Sequence, residues 1–145
     1  MSVVAAMNEA GLLHHRIQFG SFNSELFSTW LTELGTVLLD NHLSECWLVL
    51  DNVRFHHTAQ VEAMCTTMNH RLIFLPPYSP MLNPIELLFS KWRIGVKTSG
   101  MIYSRENLLA AIEESSQTIT RSDFQGWIRE SDWYLSMSLQ RLDLE

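Results

Sequence analysis

The sequence is poor in the residues that mark secreted, metal-binding and membrane proteins. Its 145 residues contain only two cysteines, Cys46 and Cys65, whose spacing fits no paired metal site. Both lie in apolar segments, so we predict buried thiols in a reducing compartment. No apolar run reaches the roughly 18 residues of a membrane span, and the first residues lack the basic flank of a signal peptide. We expect an intracellular protein, in the nucleus if the organism is eukaryotic and in the cytoplasm if it is bacterial.

Positive charge is scarce as well. Ten Lys and Arg stand against 16 Asp and Glu, which gives a formal net charge of −6 at pH 7. Affinity for a phosphate backbone comes mainly from clustered Lys and Arg, so this composition argues against a module dedicated to coating nucleic acid. If DNA is the substrate, most of the binding force has to come from another part of the protein.

The apolar pattern predicts one α/β domain over residues 1–145. Two β-prone runs, 2–7 and 12–19, form a hairpin, and an amphipathic helix capped by Ser21 or Asn23 follows. Two further runs lack alternation, as strands buried on both faces do, and a helix capped by Thr58 separates them. The predicted order is β-β-α-β-α-β, with a C-terminal helical portion at 98–145; the last two strands span residues 46–50 and 71–75.

Proline is confined to nine positions of the chain. Prolines cannot donate to a sheet ladder, so the predicted strand over residues 71–75 must stop at Leu75. Further along, Asn83 suits a helix N-cap, Pro84 the first helical position, and Glu86 the third position of a capping box. Capping alone therefore explains Glu86 as well as a functional role does. The prolines are Pro76, Pro77, Pro80 and Pro84.

A second carboxylate stands at the end of the first apolar strand. Asp51 follows residues 46–50, and open α/β sheets bind ligands at the carboxyl ends of their strands. A stiff loop can bring Glu86 beside it. At roughly 5 Å and an effective dielectric constant of about 20, two like charges repel by about 3 kcal/mol, which a cation between them relieves. Oxygen ligands favour Mg²⁺ or Mn²⁺, so we predict that Asp51 and Glu86 share a divalent ion.

These motifs carry a resemblance to a known family. The segments "LVLDN" (48–52), "HHT" (56–58), "LPPYSPMLNPIE" (75–86) and "KW" (91–92) resemble the catalytic core of the mariner-type DDE transposases, within the DDE superfamily endonucleases. The 34 residues between Asp51 and Glu86 are the interval that a large branch of that superfamily has. The similarity is clearest over residues 47–93 and extends over about residues 1–97.

The resemblance implies a fold and a chemistry. The fold is an RNase H-like mixed sheet flanked by helices, and the reaction is metal-dependent DNA strand cleavage and transfer during DNA transposition and integration. In the family three acids hold two metal ions; Asp51 matches the second acid and Glu86 the third. Asn52 and His56 match polar residues that support the second acid, although they also fit ordinary surface loop residues. The implied partners are DNA, both transposon ends and target, and a second copy in a homodimer.

The sequence also departs from the family pattern. The first acid of the family lies on a strand before the hairpin, and no residue here occupies that place; Asp40 fits a solvated helix end instead. We therefore expect an N-terminally truncated domain that lacks the first central strand and the upstream DNA-binding region, which leaves its catalytic activity open. The rival hypothesis is a non-catalytic RNase H-like remnant that acts as an interaction or nucleic-acid-binding module. A Walker B element also has a strand that ends in aspartate, but no G-x-x-x-x-G-K-[ST] stretch accompanies it.

Overall fold

A computed structural model describes residues 2–51, 58–77, 79–98 and 105–144. The predicted order β-β-α-β-α-β is confirmed, and a short 3-10 helix and three α-helices follow it in the described residues. Helix and strand bounds are β1 Ser2–Asn8, β2 Gly11–Gln18, α1 Ser24–Asp40, β3 Trp47–Leu50, α2 Ala59–Thr67, β4 Arg71–Phe74, a 3-10 helix Pro80–Leu82, α3 Ile85–Thr98, α4 Arg105–Gln117 and α5 Arg121–Leu144.

The chain divides into two compact units. The first comprises Met1–Ala6 and Leu12–Asn83, and the second comprises Met7–Gly11 and Pro84–Glu145. The first unit therefore holds β3, β4, α1, α2 and most of the hairpin, whereas the second holds α3, α4 and α5.

The hairpin turn between β1 and β2 is set by one side chain. Asn8 accepts hydrogen bonds at Oδ1 from the backbone N–H groups of Ala10 and Gly11, at 2.9 and 3.2 Å. Gly11 has φ +146°, a conformation that a residue with a Cβ rarely adopts. The predicted hairpin is confirmed, with its turn at the asparagine and glycine.

Helix α1 carries the apolar stripe that the spacing predicts. Asn23 is its N-cap, and its side chain accepts a hydrogen bond from the backbone N–H of Leu26 at 2.8 Å. The buried side of the helix forms the core of the first unit together with two residues of α2. The core residues are Phe27, Trp30, Leu31, Leu34, Leu38, Val61 and Cys65.

Strands β3 and β4 pair in parallel, with Trp47 opposite Arg71 and Leu50 opposite Phe74. The prediction that both faces are buried is wrong, because exposure alternates along each strand. One face packs on the core of the first unit, and the other is exposed although it is also apolar apart from Arg71, so the apolar runs show no alternation. The core-facing residues are Leu48, Leu50 and Leu72, and the exposed ones are Trp47, Val49 and Ile73.

Helix α2 begins where the sequence predicts. Thr58 accepts a hydrogen bond at Oγ1 from the backbone N–H of Val61, at 3.2 Å, so the predicted cap is confirmed. Cys65 of α2 is buried, as the sequence predicts. The prediction of burial is wrong for Cys46, which is only half-buried, because it precedes β3 at the margin of the core.

The second unit is built on the pairing of α3 with α4. Leu88 and Trp92 are buried, and the Trp92 indole N–H donates to Ser116 Oγ at 2.9 Å. Helix α5 begins at a reciprocal cap: the Thr120 backbone N–H donates to Asp123 Oδ2 at 2.8 Å, and the Asp123 backbone N–H donates to Thr120 Oγ1 at 3.2 Å. The backbone hydrogen bond from Thr120 lowers the pKa of the Asp123 carboxyl.

None of the helices in the described ranges is long and apolar enough to cross a membrane.

Candidate active site

Asp51 stands at the carboxyl end of β3, as the sequence predicts. It follows Leu50 directly and is partly buried. The Leu75 backbone N–H donates to the carbonyl of Leu50 at 2.8 Å, so the ladder between β3 and β4 continues to the last residue before Asp51. The carboxyl ends of two parallel strands lie at the same edge of the pair, so the loop after β4 starts beside Asp51.

Asn83, at the far end of that loop, contacts Asp51. Its side-chain N–H donates from Nδ2 to Asp51 Oδ1 at 2.8 Å, within the ordinary range for such a bond. Asn83 is 9% exposed, and its backbone N–H donates to the carbonyl of Pro80 at 3.0 Å. Both residues belong to the first unit, and 32 positions separate them in sequence.

The sequence predicts Asn83 only as a helix cap, so this contact is not predicted. Helix α3 begins at Ile85, one residue later than the pattern predicts, and the Pro84 carbonyl accepts from the Leu87 backbone N–H at 3.1 Å. The sequence does contain a signal for the contact. The loop after β4 and Asp51 after β3 lie at the same edge of the strand pair, so a short polar side chain of that loop can contact Asp51. Periodicity cannot identify which polar residue of the loop reaches it.

Glu86 lies in the first turn of α3 and is partly buried. It belongs to the second compact unit, whereas Asp51 belongs to the first. Asp40 is exposed at the last position of α1, as expected for a solvated helix end. The two supporting residues taken from the motif, Asn52 and His56, lie outside the described residues.

Each of the two carboxylates suits a hard divalent cation in its chemistry. Carboxylate oxygens such as those of Asp51 and Glu86 are the ligands that Mg²⁺ and Mn²⁺ prefer. The residues that the structure describes contain no group of three or more His, Cys, Asp or Glu side chains that could hold a metal ion.

The decisive comparison is with protein-family models. The model of the DDE superfamily endonucleases matches residues 1–109, three quarters of the chain. The chain belongs to the DDE superfamily endonuclease family. The family prediction made from the motifs is thereby confirmed, and the match includes Asp51, Asn83 and Glu86. Among curated protein sequences none matches this DDE endonuclease chain.

Solved structures share the fold of this DDE endonuclease chain. The catalytic domain of Mos1 mariner transposase matches with a TM-score of 0.76 and 16% identity, over 89% of this chain and 67% of that one. The same domain with raltegravir and Mg matches over 89% and 68%, again at 0.76 and 16%. The Mos1 paired-end complex with the left transposon end matches at 0.76 and 17%, over 89% and 39%.

The comparison confirms the predicted fold class. The chain has the mixed α/β, RNase H-like architecture of the Mos1 catalytic domain. It spans 39% of the length of the Mos1 transposase chain in the paired-end complex.

Proposed function

We propose that this chain is a transposase-derived DDE endonuclease domain in which Asp51 and Glu86 are two of the metal ligands. Family membership carries the proposal, since the matched range contains both acids at the interval typical of one branch of the superfamily. The position of Asp51 at the carboxyl end of β3 supports it. The relatives were solved with Mg and with Mn, which supports a divalent cofactor.

The chemistry follows from these residues. Divalent ions bound there would supply two kinds of chemistry to DNA strand cleavage and transfer: activation of a water or a 3′-hydroxyl by one ion, and stabilisation of the leaving oxygen by the other. Asp51 and Glu86 would hold these ions through carboxylate oxygens, and the prolines of segment 76–84 would restrict the backbone that leads to Glu86. Such restraint matters because misplacement of a catalytic group by about 1 Å can reduce the rate about a hundredfold.

DNA is the proposed substrate and partner. The Mos1 relatives were solved as a paired-end complex with a transposon end, a pre-cleavage transpososome and a strand transfer complex. Asn52 and His56 remain proposed supports for Asp51, and a homodimer remains the proposed assembly. The proposed location is the nucleus of a eukaryote or the cytoplasm of a bacterium.

A non-catalytic remnant is the rival function. One observation favours it: the described residues contain no cluster of three metal-ligating side chains. Such a remnant would act as an interaction or nucleic-acid-binding module without cleaving DNA.

A nicking assay separates the two functions. Supercoiled plasmid is incubated with Mg²⁺ or Mn²⁺ and either the unmodified chain, Asp51→Asn or Glu86→Gln. Asp40→Asn is the matched control, because it removes an exposed carboxylate at the end of α1. The endonuclease proposal predicts nicking by the unmodified chain and the control, reduced roughly a hundredfold or more in the other two variants. Equal nicking by all four proteins, or by none, leaves the remnant as the function.

A further inference from the structure

We infer that Asn83 is a positioning residue for the Asp51 carboxylate. The inference rests on the proposed function and extends it from the acids to the side chain that orients one of them. Its basis is the 2.8 Å hydrogen bond from Asn83 Nδ2 to Asp51 Oδ1, made by an asparagine that is 9% exposed.

A neutral donor is suited to this task. A hydrogen bond to an ionised carboxylate is stronger than one between neutral groups, so it restrains the Asp51 side chain effectively. Lysine or arginine at the same place would offset the negative charge that attracts a cation, whereas an amide leaves that charge in place. A carboxylate has about four acceptor positions, so one amide donor does not saturate it as a metal ligand.

Asn83 is itself held in place by its backbone. The 3-10 helix Pro80–Leu82 immediately precedes it, and its N–H donates to the carbonyl of Pro80. Pro80 and Pro84 restrict the backbone on either side. The side chain therefore reaches Asp51 from a stiff segment, and less conformational entropy is lost in making the bond than from a flexible loop.

The alternative is that Asn83 serves only to start helix α3. Serine separates the two roles, because it caps helices about as well as asparagine but is too short to replace the amide donor. Asn83→Ser should therefore leave the start of α3 intact and lose the restraint on Asp51. The matched control is Asn23→Ser, the same change at the N-cap of α1, where the asparagine side chain accepts from the Leu26 N–H.

The first experiment measures Mn²⁺ affinity by electron paramagnetic resonance of the free ion at pH 7. Residues that orient a metal ligand typically contribute roughly 10- to 100-fold in metal affinity. We expect Asn83→Ser to weaken Mn²⁺ binding by about that factor, Asn23→Ser to bind like the unmodified chain, and Asp51→Asn to bind most weakly. If Asn83→Ser binds Mn²⁺ as tightly as the unmodified chain while Asp51→Asn does not, Asn83 has no positioning role. If Asp51→Asn binds equally tightly, the proposed metal site is wrong.

The second experiment tests the contact without metal. The side-chain amide of Asn83 is followed by ¹⁵N-resolved NMR in the unmodified chain and in Asp51→Ala, with Asn23 as the reference amide. A hydrogen-bonded amide should shift when its acceptor is removed, and the Asn23 amide should not. Unchanged Asn83 resonances would overturn the inference even if the chain binds no Mn²⁺.

Discussion

At the scale of single residues, the two thiols of the chain lie in different surroundings. Cys65 is 1% exposed in the core of the first unit, and burial raises the pKa of its thiol from 9.0 to about 11. Cys46 precedes β3 and is half-buried, and its backbone N–H donates to His70 Nδ1 at 3.0 Å. Because the thiolate is the reactive form, the two cysteines should differ in reactivity.

We predict that iodoacetamide at pH 8 modifies Cys46 of the native chain well before Cys65. A pKa raised by about two units lowers the thiolate fraction at pH 8 roughly a hundredfold, and burial also blocks the reagent. Peptide mass spectrometry over time gives both rates, and the chain in guanidinium is the control, where the rates should become similar. Equal rates in the native chain would mean that Cys65 is not buried in solution.

The residue scale is also where prediction from sequence succeeded and failed most clearly. The sequence predicts Thr58 as one cap and Ser21 or Asn23 as the other, and the structure has Thr58 and Asn23, because a capping side chain acts on its own neighbours in sequence. The bond from Asn83 to Asp51 joins residues 32 positions apart, and no local pattern encodes such a contact. Of the candidate site, the sequence could therefore provide the acids and their motif but not the side chain that holds Asp51.

At the scale of secondary structure elements, β3 and β4 show how an apolar sequence can hide a one-sided strand. The apolar stripes of the helices are predicted correctly, because polar residues occupy most of the exposed side of α1 and α3. In the two strands the outward positions other than Arg71 are themselves apolar, with Trp47 58% and Val49 47% exposed. Arg71 lies over the Trp47 ring at 5.1 Å from its centroid, so a cation covers part of this apolar surface.

The two faces of β4 should differ in their contribution to stability. Leu72 packs on the core of the first unit, whereas its neighbour Ile73 is 40% exposed on the other face. We predict that Leu72→Ala lowers the free energy of unfolding by about 2 kcal/mol and Ile73→Ala by about 1 kcal/mol or less. Leucine and isoleucine are isomers, so both substitutions remove the same number of atoms.

Urea unfolding followed by circular dichroism measures both variants, provided that the slope of the transition stays unchanged. A loss for Ile73→Ala as large as that for Leu72→Ala would show that the outer face is covered in solution.

At the scale of the whole molecule, family membership and net charge lead to different expectations about binding to DNA. The family acts on nucleic acid, yet the chain carries a formal charge of −6. Ten Lys and Arg residues are distributed over the sequence. Three of them, Lys91, Arg93 and Lys97, lie on the exposed side of α3, the helix whose first turn contains Glu86. Motifs identify which residues can act on DNA, whereas total charge limits how strongly the chain is attracted to it.

We predict that the chain binds duplex DNA weakly and with a steep dependence on salt. Non-specific affinities at physiological salt are typically in the range of about 1 to 100 µM, and an acidic chain should lie near the weak end. Fluorescence anisotropy of a labelled duplex, titrated at several KCl concentrations, gives the Kd and the slope of log K against log salt. Arg93→Gln should reduce the slope by about one if α3 contacts phosphate, while Arg129→Gln on α5 serves as the control cation. A Kd well below about 1 µM at physiological salt would show that local geometry at the DNA-binding surface outweighs the net charge of the chain.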